Sequence, residues 1–219
     1  MISGVAVLIM AKTPRPGHCK TRLQPLLGAD GCAQLQAALI RRTLLLAQQV
    51  APTDTYLALD FPDDAVVTIP SGVHVLGQHG AHLGARLSHA AEEVLTDQAS
   101  PVMVICTDAL TLTAAHLHAA AARLDDGADV VFGPALDGGY YLIGMSQPHP
   151  ELFIIEPGLW GGPKVLTASV AAARAADLRI ALVDPLRDLD TPDDAAAFLR
   201  EGDLEQDVAA LLGAGARAR

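Results

Sequence analysis

Six consecutive apolar residues, Val5-Ala6-Val7-Leu8-Ile9-Met10, stand near the start of the chain. A run without polar alternation describes a strand covered on both faces, the kind found in parallel sheets flanked by helices. Pro101-Val102-Met103-Val104-Ile105-Cys106 is a second run of this character. Helical patterns lie between and after these runs, so the pattern specifies an α/β protein. One helix is expected from an Asp30 cap to Val50, where Pro52 ends it. Others are expected after Leu83 with Leu83, Leu87, Ala91 and Leu95 inward, over 113–124, from Pro163 to 176, and near 192–199 and 204–212.

Shorter strands are read at 55–59, 73–76 and 178–183, with a turn at 60–64. Asp129 to Gly133 and Tyr140 to Met145 are joined by Pro134-Ala135-Leu136-Asp137-Gly138-Gly139. A strand–turn–strand pair this close breaks strict alternation and predicts a mixed sheet. With neither an internal repeat nor a linker, residues 1–212 are expected to form one domain, and the Gly/Ala/Arg-rich residues 213–219 a disordered tail.

The loop after the first strand, Ala11-Lys12-Thr13-Pro14-Arg15-Pro16-Gly17-His18-Cys19-Lys20-Thr21-Arg22-Leu23, holds four of the chain's 15 cations in 13 residues. Like charges gathered in one loop repel, and an anion near 4 Å returns about 4 kcal/mol at an effective dielectric of about 20. Ligands of open α/β sheets bind outside the carboxyl ends of the strands, so this loop is a candidate phosphate site. It is no Walker loop, since the glycine positions of that motif hold Pro14 and Cys19, and no G-x-G-x-x-G occurs. A formal charge of −10 argues against nucleic acid as the main partner.

Three cysteines without metal-site spacing argue against a disulfide framework. The start lacks a basic n-region, and the first apolar run is too short for a leader or a membrane span. A cytoplasmic enzyme without a membrane partner is expected, and no oligomeric state is assigned.

Asp108 follows the second apolar run, and Asp188 and Asp190 follow the last strand. Carboxylates at strand ends on one rim converge on a cation, and Mg²⁺ is typically held by one or two carboxylates, water and substrate phosphates. As a plain fold feature, Asp190 caps a helix through Thr191-Pro192. The glycines at 77, 80 and 84 and the Asp137-Gly138-Gly139 turn serve tight backbone or close ligand approach equally. Gln78 could read a base edge, and residues 147–162, with Trp160, form the best substrate-facing loop. His79, His82 and His89 have no helpful acidic or cysteine partner for zinc.

Four stretches carry a resemblance: A-K-T-P-R-P-G-H-C-K-T-R-L, C-T-D-A-L-T-L, G-P-A-L-D-G-G-Y-Y-L-I-G and L-D-T-P-D-D. They resemble the bacterial glycosyltransferase-like proteins of GT-A fold that are similar to 2-phospho-L-lactate and molybdenum cofactor guanylyltransferases. The resemblance implies a three-layer nucleotide-diphospho-sugar transferase fold, with a mixed, mainly parallel sheet between helices. It implies that Ala11, Lys12, Pro16, Gly17, Lys20, Arg22, Gln78, Gly80 and Thr107 surround a nucleotide. Asp108, with Asp190 or Asp188, would hold Mg²⁺ or Mn²⁺, and Asp137, Gly138, Gly139 and Trp160 would line the acceptor side. Lys20, Arg22 and Asp108 would be catalytic. The family's G-T-D-x-P-x-L reads C-T-D-A-L-T-L here, so Cys106 replaces the glycine and Leu110 the proline.

The expected activity is metal-dependent transfer of a nucleotidyl group from a nucleoside triphosphate to a small phosphate or hydroxyl acceptor. The alternatives are glycosyl transfer from a nucleotide-sugar, and a nucleotide-binding regulatory protein that has lost catalysis.

Overall fold

The computed structural model describes residues 4–62, 67–97, 100–202 and 204–217. Met1 to Ser3, Asp63 and Asp64 of the expected turn, and the last two residues of the expected tail lie outside that set.

Strands β1 (Ala6–Ala11), β2 (Thr55–Leu59), β3 (Val73–Gly77), β4 (Val102–Ile105), β5 (Val130–Pro134), β6 (Tyr140–Met145) and β7 (Ile180–Leu182) form one sheet of order β3-β2-β1-β4-β6-β5-β7. All neighbours are parallel except β6, which runs antiparallel to β4 and β5. The close pair around Asp137-Gly138 is therefore a hairpin whose second strand enters between β4 and β5. It brings the start of β6 to the rim where the parallel strands end.

Helices α1 (Gln24–Val50), α2 (Leu83–Asp97), α3 (Ala114–Asp125), α4 (Val165–Ala175), α5 (Pro192–Glu201) and α6 (Gln206–Arg217) complete the described elements. Ile40, Leu44 and Ala47 of α1 and Leu117, Ala121 and Leu124 of α3 bury one face of the sheet. Leu87, Ala91 and Val94 of α2 and Ala173 of α4 bury the other. A third cluster joins Leu23, Leu35 and Leu39 to Phe198 of α5 and Val208 and Leu212 of α6. The result is the three-layer α/β fold that the apolar runs and the four motifs imply.

Several details differ from the pattern. The helix expected from Asp30 begins at Gln24 and is broken at Gly28, whose φ of 69° and ψ of 175° interrupt it, so the glycine sets the restart. Leu83 is 43% exposed, because it lies at the open first turn of α2 rather than over the sheet. The segment expected to fray from Gly213 is helical to Arg217, as Gly215 packs against Leu26 and Leu27 where a larger residue would not fit. No described helix is long and apolar enough to cross a membrane.

The chain leaves β1 for β2 and β3 on one side and returns to β4 on the other. That reversal opens a crevice at the carboxyl ends of β1 and β4, where open α/β sheets receive ligands.

Candidate functional site

A cleft of about 680 Å³ opens at this crevice, well within the range of small-molecule sites. Ala11, Lys12, Lys20, Arg22, Gln78, Thr107, Asp108, Asp137, Gly139, Trp160, Asp188 and Asp190 line it, so most of the sequence candidates meet there. Pro16 and Gly17 do not, being exposed at the outer turn of the basic loop. Gly80 is also absent from the lining, and its carbonyl accepts from Arg86 Nε at 3.2 Å. Gly138, with φ 94°, is pressed against the backbone of Pro163, so it closes the hairpin onto the neighbouring loop instead of facing a ligand.

Asp108 lies three residues past the end of β4. Thr107 Oγ1 donates to Asp108 Oδ1 at 2.9 Å, and Gln36 Nε2 of α1 lies 3.5 Å from Thr107 Oγ1. The Leu189 amide donates to the Asp108 carbonyl at 3.0 Å, and Leu189 itself is fully buried. This staple brings the Asp188-Leu189-Asp190 segment beside the end of β4 although 80 residues separate Asp188 from Asp108. The segment is fixed below by α5, whose N-cap Thr191 and Asp194 form a capping box.

Lys20 occupies the centre of this group. Its ammonium donates to Leu189 O at 2.7 Å and lies 2.8 Å from Asp108 Oδ1 and 3.4 Å from Asp190 Oδ1, with its side chain 5% exposed. Burial alone would lower its pKa, but the Asp108 and Asp190 carboxylates outweigh it and push the pKa up. Lys20 is thus engaged with carboxylates, whereas Arg22, 63% exposed and 3.5 Å from Asp190 Oδ2, and the exposed Lys12 remain at the cleft surface. Arg15, the fourth cation of the loop, stacks its guanidinium 4.9 Å from the Phe61 ring centroid.

Asp188 Oδ1 is buried with no hydrogen-bond partner among the described residues. Burial, then the carboxylates of Asp108, Asp137 and Asp190, push its pKa up to about 8. The Cys106 thiol is also driven well above its ordinary range, first by burial and then by Asp188 and Asp108. It is therefore a protonated, unreactive wall of the cleft. Leu110, where the family pattern has proline, is buried in the third apolar cluster.

The oxygen donors at Asp108, Asp188 and Asp190 suit a hard divalent ion, and the orphaned Asp188 oxygen is a group such an ion would satisfy. Among the described residues, no three acidic, histidine or cysteine side chains already surround one point.

Gln78 lines the cleft, but its amide nitrogen donates to Ala11 O and Ala58 O, both at 2.9 Å. Both its N–H bonds tie the ends of β1 and β2, which leaves only the carbonyl oxygen for a ligand. Of the three histidines His79, His82 and His89, His82 Nδ1 accepts from the Ala85 amide, and His89 Nδ1 meets the His79 carbonyl.

The far wall is apolar. Met10, Leu83, Leu87, Val104, Ile143 and Val165 line it beside Trp160. The indole lies over Gly84 at the start of α2, with no room for even a β-carbon there. Of residues 147–162, read from sequence as a substrate-facing loop, Trp160 to Gly162 at the carboxyl end line the cleft.

Sequence reasoning passed over Gln36, Leu83, Arg86 and Tyr140 as cleft residues. Gln36 carried a signal, as a polar residue inside the apolar stripe of Cys32, Leu35 and Leu39. It also passed over the brace of the basic loop. Asp60 Oδ1 accepts from the Thr13 amide at 2.7 Å and Asp60 Oδ2 lies 2.8 Å from His18 Nε2. Burial works against the Asp60 carboxylate, but these partners outweigh it and hold its pKa below the usual value.

Residues 33–155, more than half of the chain, match the profile of a family described as an uncharacterized protein conserved in bacteria, DUF2064. The chain belongs to this family. No curated protein matches this DUF2064 member. A solved structure from Desulfovibrio desulfuricans G20, provisionally assigned as a nucleotide-diphospho-sugar transferase, is 27% identical with a TM-score of 0.83, over 97% of this chain and 95% of that one. The 2-C-methyl-D-erythritol 4-phosphate cytidylyltransferase of Thermus thermophilus is 18% identical with a TM-score of 0.50, over 96% and 99% of the two chains. Rv0371c of Mycobacterium tuberculosis H37Rv, solved in complex with manganese, is 14% identical with a TM-score of 0.51, over 90% and 99%. The last two likenesses are of fold alone. The DUF2064 chain thus shares the fold of nucleotide-diphospho-sugar transferases and cytidylyltransferases.

Proposed function

We propose that this DUF2064 protein is a divalent-metal-dependent transferase that moves a nucleotidyl group from a nucleoside triphosphate to a small phosphate or hydroxyl acceptor. The observation that carries this reading is the meeting, in one cleft, of Lys12, Lys20 and Arg22 from the loop after β1 with Asp108, Asp188 and Asp190 from two other strand ends. Lys12 and Arg22 would bind the polyphosphate, and Asp108, Asp188 and Asp190 would hold Mg²⁺ or Mn²⁺. When bound, such an ion supplies charge neutralisation at the reacting phosphorus.

The chain's own part is positioning and electrostatic stabilisation. Thr107 and the Leu189 staple orient Asp108, and Trp160 with Asp137 and Gly139 would border the acceptor. A phosphate acceptor needs no general base, and none is assigned. The likeness to guanylyltransferases belongs to this proposal as well.

A second reading, glycosyl transfer from a nucleotide-sugar, is supported by the name of the Desulfovibrio relative. The two are separated by product: pyrophosphate for nucleotidyl transfer, a nucleoside diphosphate for glycosyl transfer. The test is thermal stabilisation with each nucleoside triphosphate and several nucleotide-sugars, with and without Mg²⁺ or Mn²⁺, followed by product analysis. A ligand that binds only the native state at a hundredfold excess over Kd adds about 2.7 kcal/mol. Asp108→Ala is expected to abolish metal-dependent turnover in a folded protein. Turnover that survives in that variant would refute the proposal, and nucleotide binding without turnover across a broad acceptor panel would favour a regulatory protein.

A further inference from the structure

The basic loop after β1 resembles a phosphate-binding loop in sequence, yet its most buried cation faces carboxylates. Lys20 Nζ has its donors matched by three acceptors, Leu189 O at 2.7 Å, Asp108 Oδ1 at 2.8 Å and Asp190 Oδ1 at 3.4 Å. Among the described ion pairs, Lys20 alone joins Asp108 to Asp190. Its backbone is left-handed, at φ 48° and ψ 38°, a conformation that a non-glycine residue keeps only when its surroundings enforce it. Here the Lys20 carbonyl accepts from Cys32 Sγ at 3.2 Å and from the Leu23 amide at 2.8 Å, which fixes it.

The ammonium lies between the two carboxylates, where a divalent ion shared by them would be placed. An ion bound to Asp108 Oδ1 and Asp190 Oδ1 would stand within a few ångströms of that ammonium, with both charges positive.

We infer that Lys20 is a resident counter-cation: a divalent ion enters the Asp108–Asp190 pair only when the Lys20 ammonium withdraws, and a polyphosphate in the cleft is what receives it. This rests on the polyphosphate-binding part of the reading above. Metal and triphosphate then bind cooperatively, because each favours the same displaced lysine. The apparent affinity for metal alone is reduced by the fraction of molecules in which the lysine is already out, so a 1% fraction lowers it about a hundredfold. Lys20 is a positioning residue for the metal and becomes a phosphate contact only after the exchange. Lys12 and Arg22, already at the cleft surface, would make the first contact.

The test is Mn²⁺ titration without nucleotide, reading free Mn²⁺ by electron paramagnetic resonance, on the wild-type chain and on K20M, R22M and K20M/D108N. K20M is expected to bind Mn²⁺ at least tenfold more tightly than wild type. R22M is expected to stay within threefold, because Arg22 is 63% exposed and 3.5 Å from Asp190. K20M/D108N is expected to lose the gain, which locates the bound ion at Asp108. A purely structural lysine predicts the opposite sign, so K20M binding Mn²⁺ no more tightly than wild type overturns the inference.

A second measurement needs no variant. The chain has three lysines, Lys12, Lys20 and Lys164, so ¹⁵N-labelled side-chain ammonium signals are few. The Lys20 signal is expected to persist with Mg²⁺ alone and to move with Mg²⁺ plus inorganic tripolyphosphate. Movement with Mg²⁺ alone, or none with both, overturns the inference. Because tripolyphosphate carries no base or sugar, movement with it in a protein that no nucleoside triphosphate or nucleotide-sugar stabilises would refute the transferase reading and leave the exchange standing.

Discussion

Replacing Gly84 with alanine tests how the cleft wall is built. A β-carbon at Gly84 would stand 2.6 Å from Trp160 Cε2 and 2.7 Å from the Phe153 carbonyl oxygen. Contacts under 3 Å do not persist, and the carbonyl is backbone, so the indole must yield by several tenths of an ångström or more. Overpacking of this kind costs about 1–3 kcal/mol. Glycine to alanine inside a helix returns at most about 1 kcal/mol, and less in a first turn, where Gly84 lies. The net expectation is about 1–2 kcal/mol of destabilisation, which for a domain of this size lowers Tm by about 2–8 °C.

Trp160 is the chain's single tryptophan, so fluorescence reports this contact without interference. Gly84→Ala is expected to shift the emission to the red as the indole leaves its partly buried seat. Gly158→Ala, where a β-carbon meets nothing within 4 Å, is the control and is expected to leave the emission unchanged. Unchanged emission and an unchanged Tm in Gly84→Ala would refute the view that the α2 backbone seats the Trp160 wall.

Two further predictions concern titrating groups. Folded Asp188 holds its proton up to about 8, while an unfolded aspartate loses it near 3.9. The folded state then binds more protons between those values, so this group's contribution to stability falls as pH rises from about 4 through about 8. Asp188→Asn is expected to match wild type at pH 3, below both pKa values, and to exceed it by at least about 1 kcal/mol at pH 8.5, measured by urea unfolding without metal; equal stability at both pH values would count against the buried carboxyl.

Asp60 has the opposite sign, because its folded pKa is depressed. Its contribution is complete above the unfolded value near 3.9 and fades as pH falls through the lower folded value. Asp60→Asn is expected to cost about 1–3 kcal/mol at pH 7 and less at pH 3, with faster hydrogen exchange at the Thr13 amide. A pH-independent loss would show that the carboxylate charge is not what holds the loop.

The fold was legible wherever burial was two-sided. Val5 to Met10 and Pro101 to Cys106 have to be central strands, since an unbroken apolar run is stable only where both faces are covered, and β1 and β4 lie at the middle of the sheet. Asp137-Gly138 marked a hairpin because few residues accept its backbone. Helix ends were less legible. Asp30 looks like a cap, but Gly28 interrupts α1, and the last helix reaches Arg217 only because α1 is beside it. The site was legible as a set of residues and not as a set of contacts. Lys20, Asp108 and Asp190 were all marked, yet the pairing of Lys20 with both carboxylates was not. Nothing in the linear spacing tells an ammonium whether it will face phosphate or carboxylate.

Composition and periodicity by themselves determined that this chain forms an α/β fold with buried strands in a mixed sheet, a basic loop after the first strand and carboxylates after two others. Those features follow from short-range physics: apolar repeat, turn chemistry and local charge. The tertiary structure alone decided the partners. The hydrogen bond from the Leu189 amide to the Asp108 carbonyl brings two distant strand ends together, and burial there, then the neighbouring carboxylates, push the Asp188 pKa up to about 8. Trp160 becomes a wall of the cleft only because Gly84, 76 positions earlier, leaves room for it. Contacts between residues that far apart depend on how the layers pack, and packing is a property of the whole core rather than of any stretch of sequence.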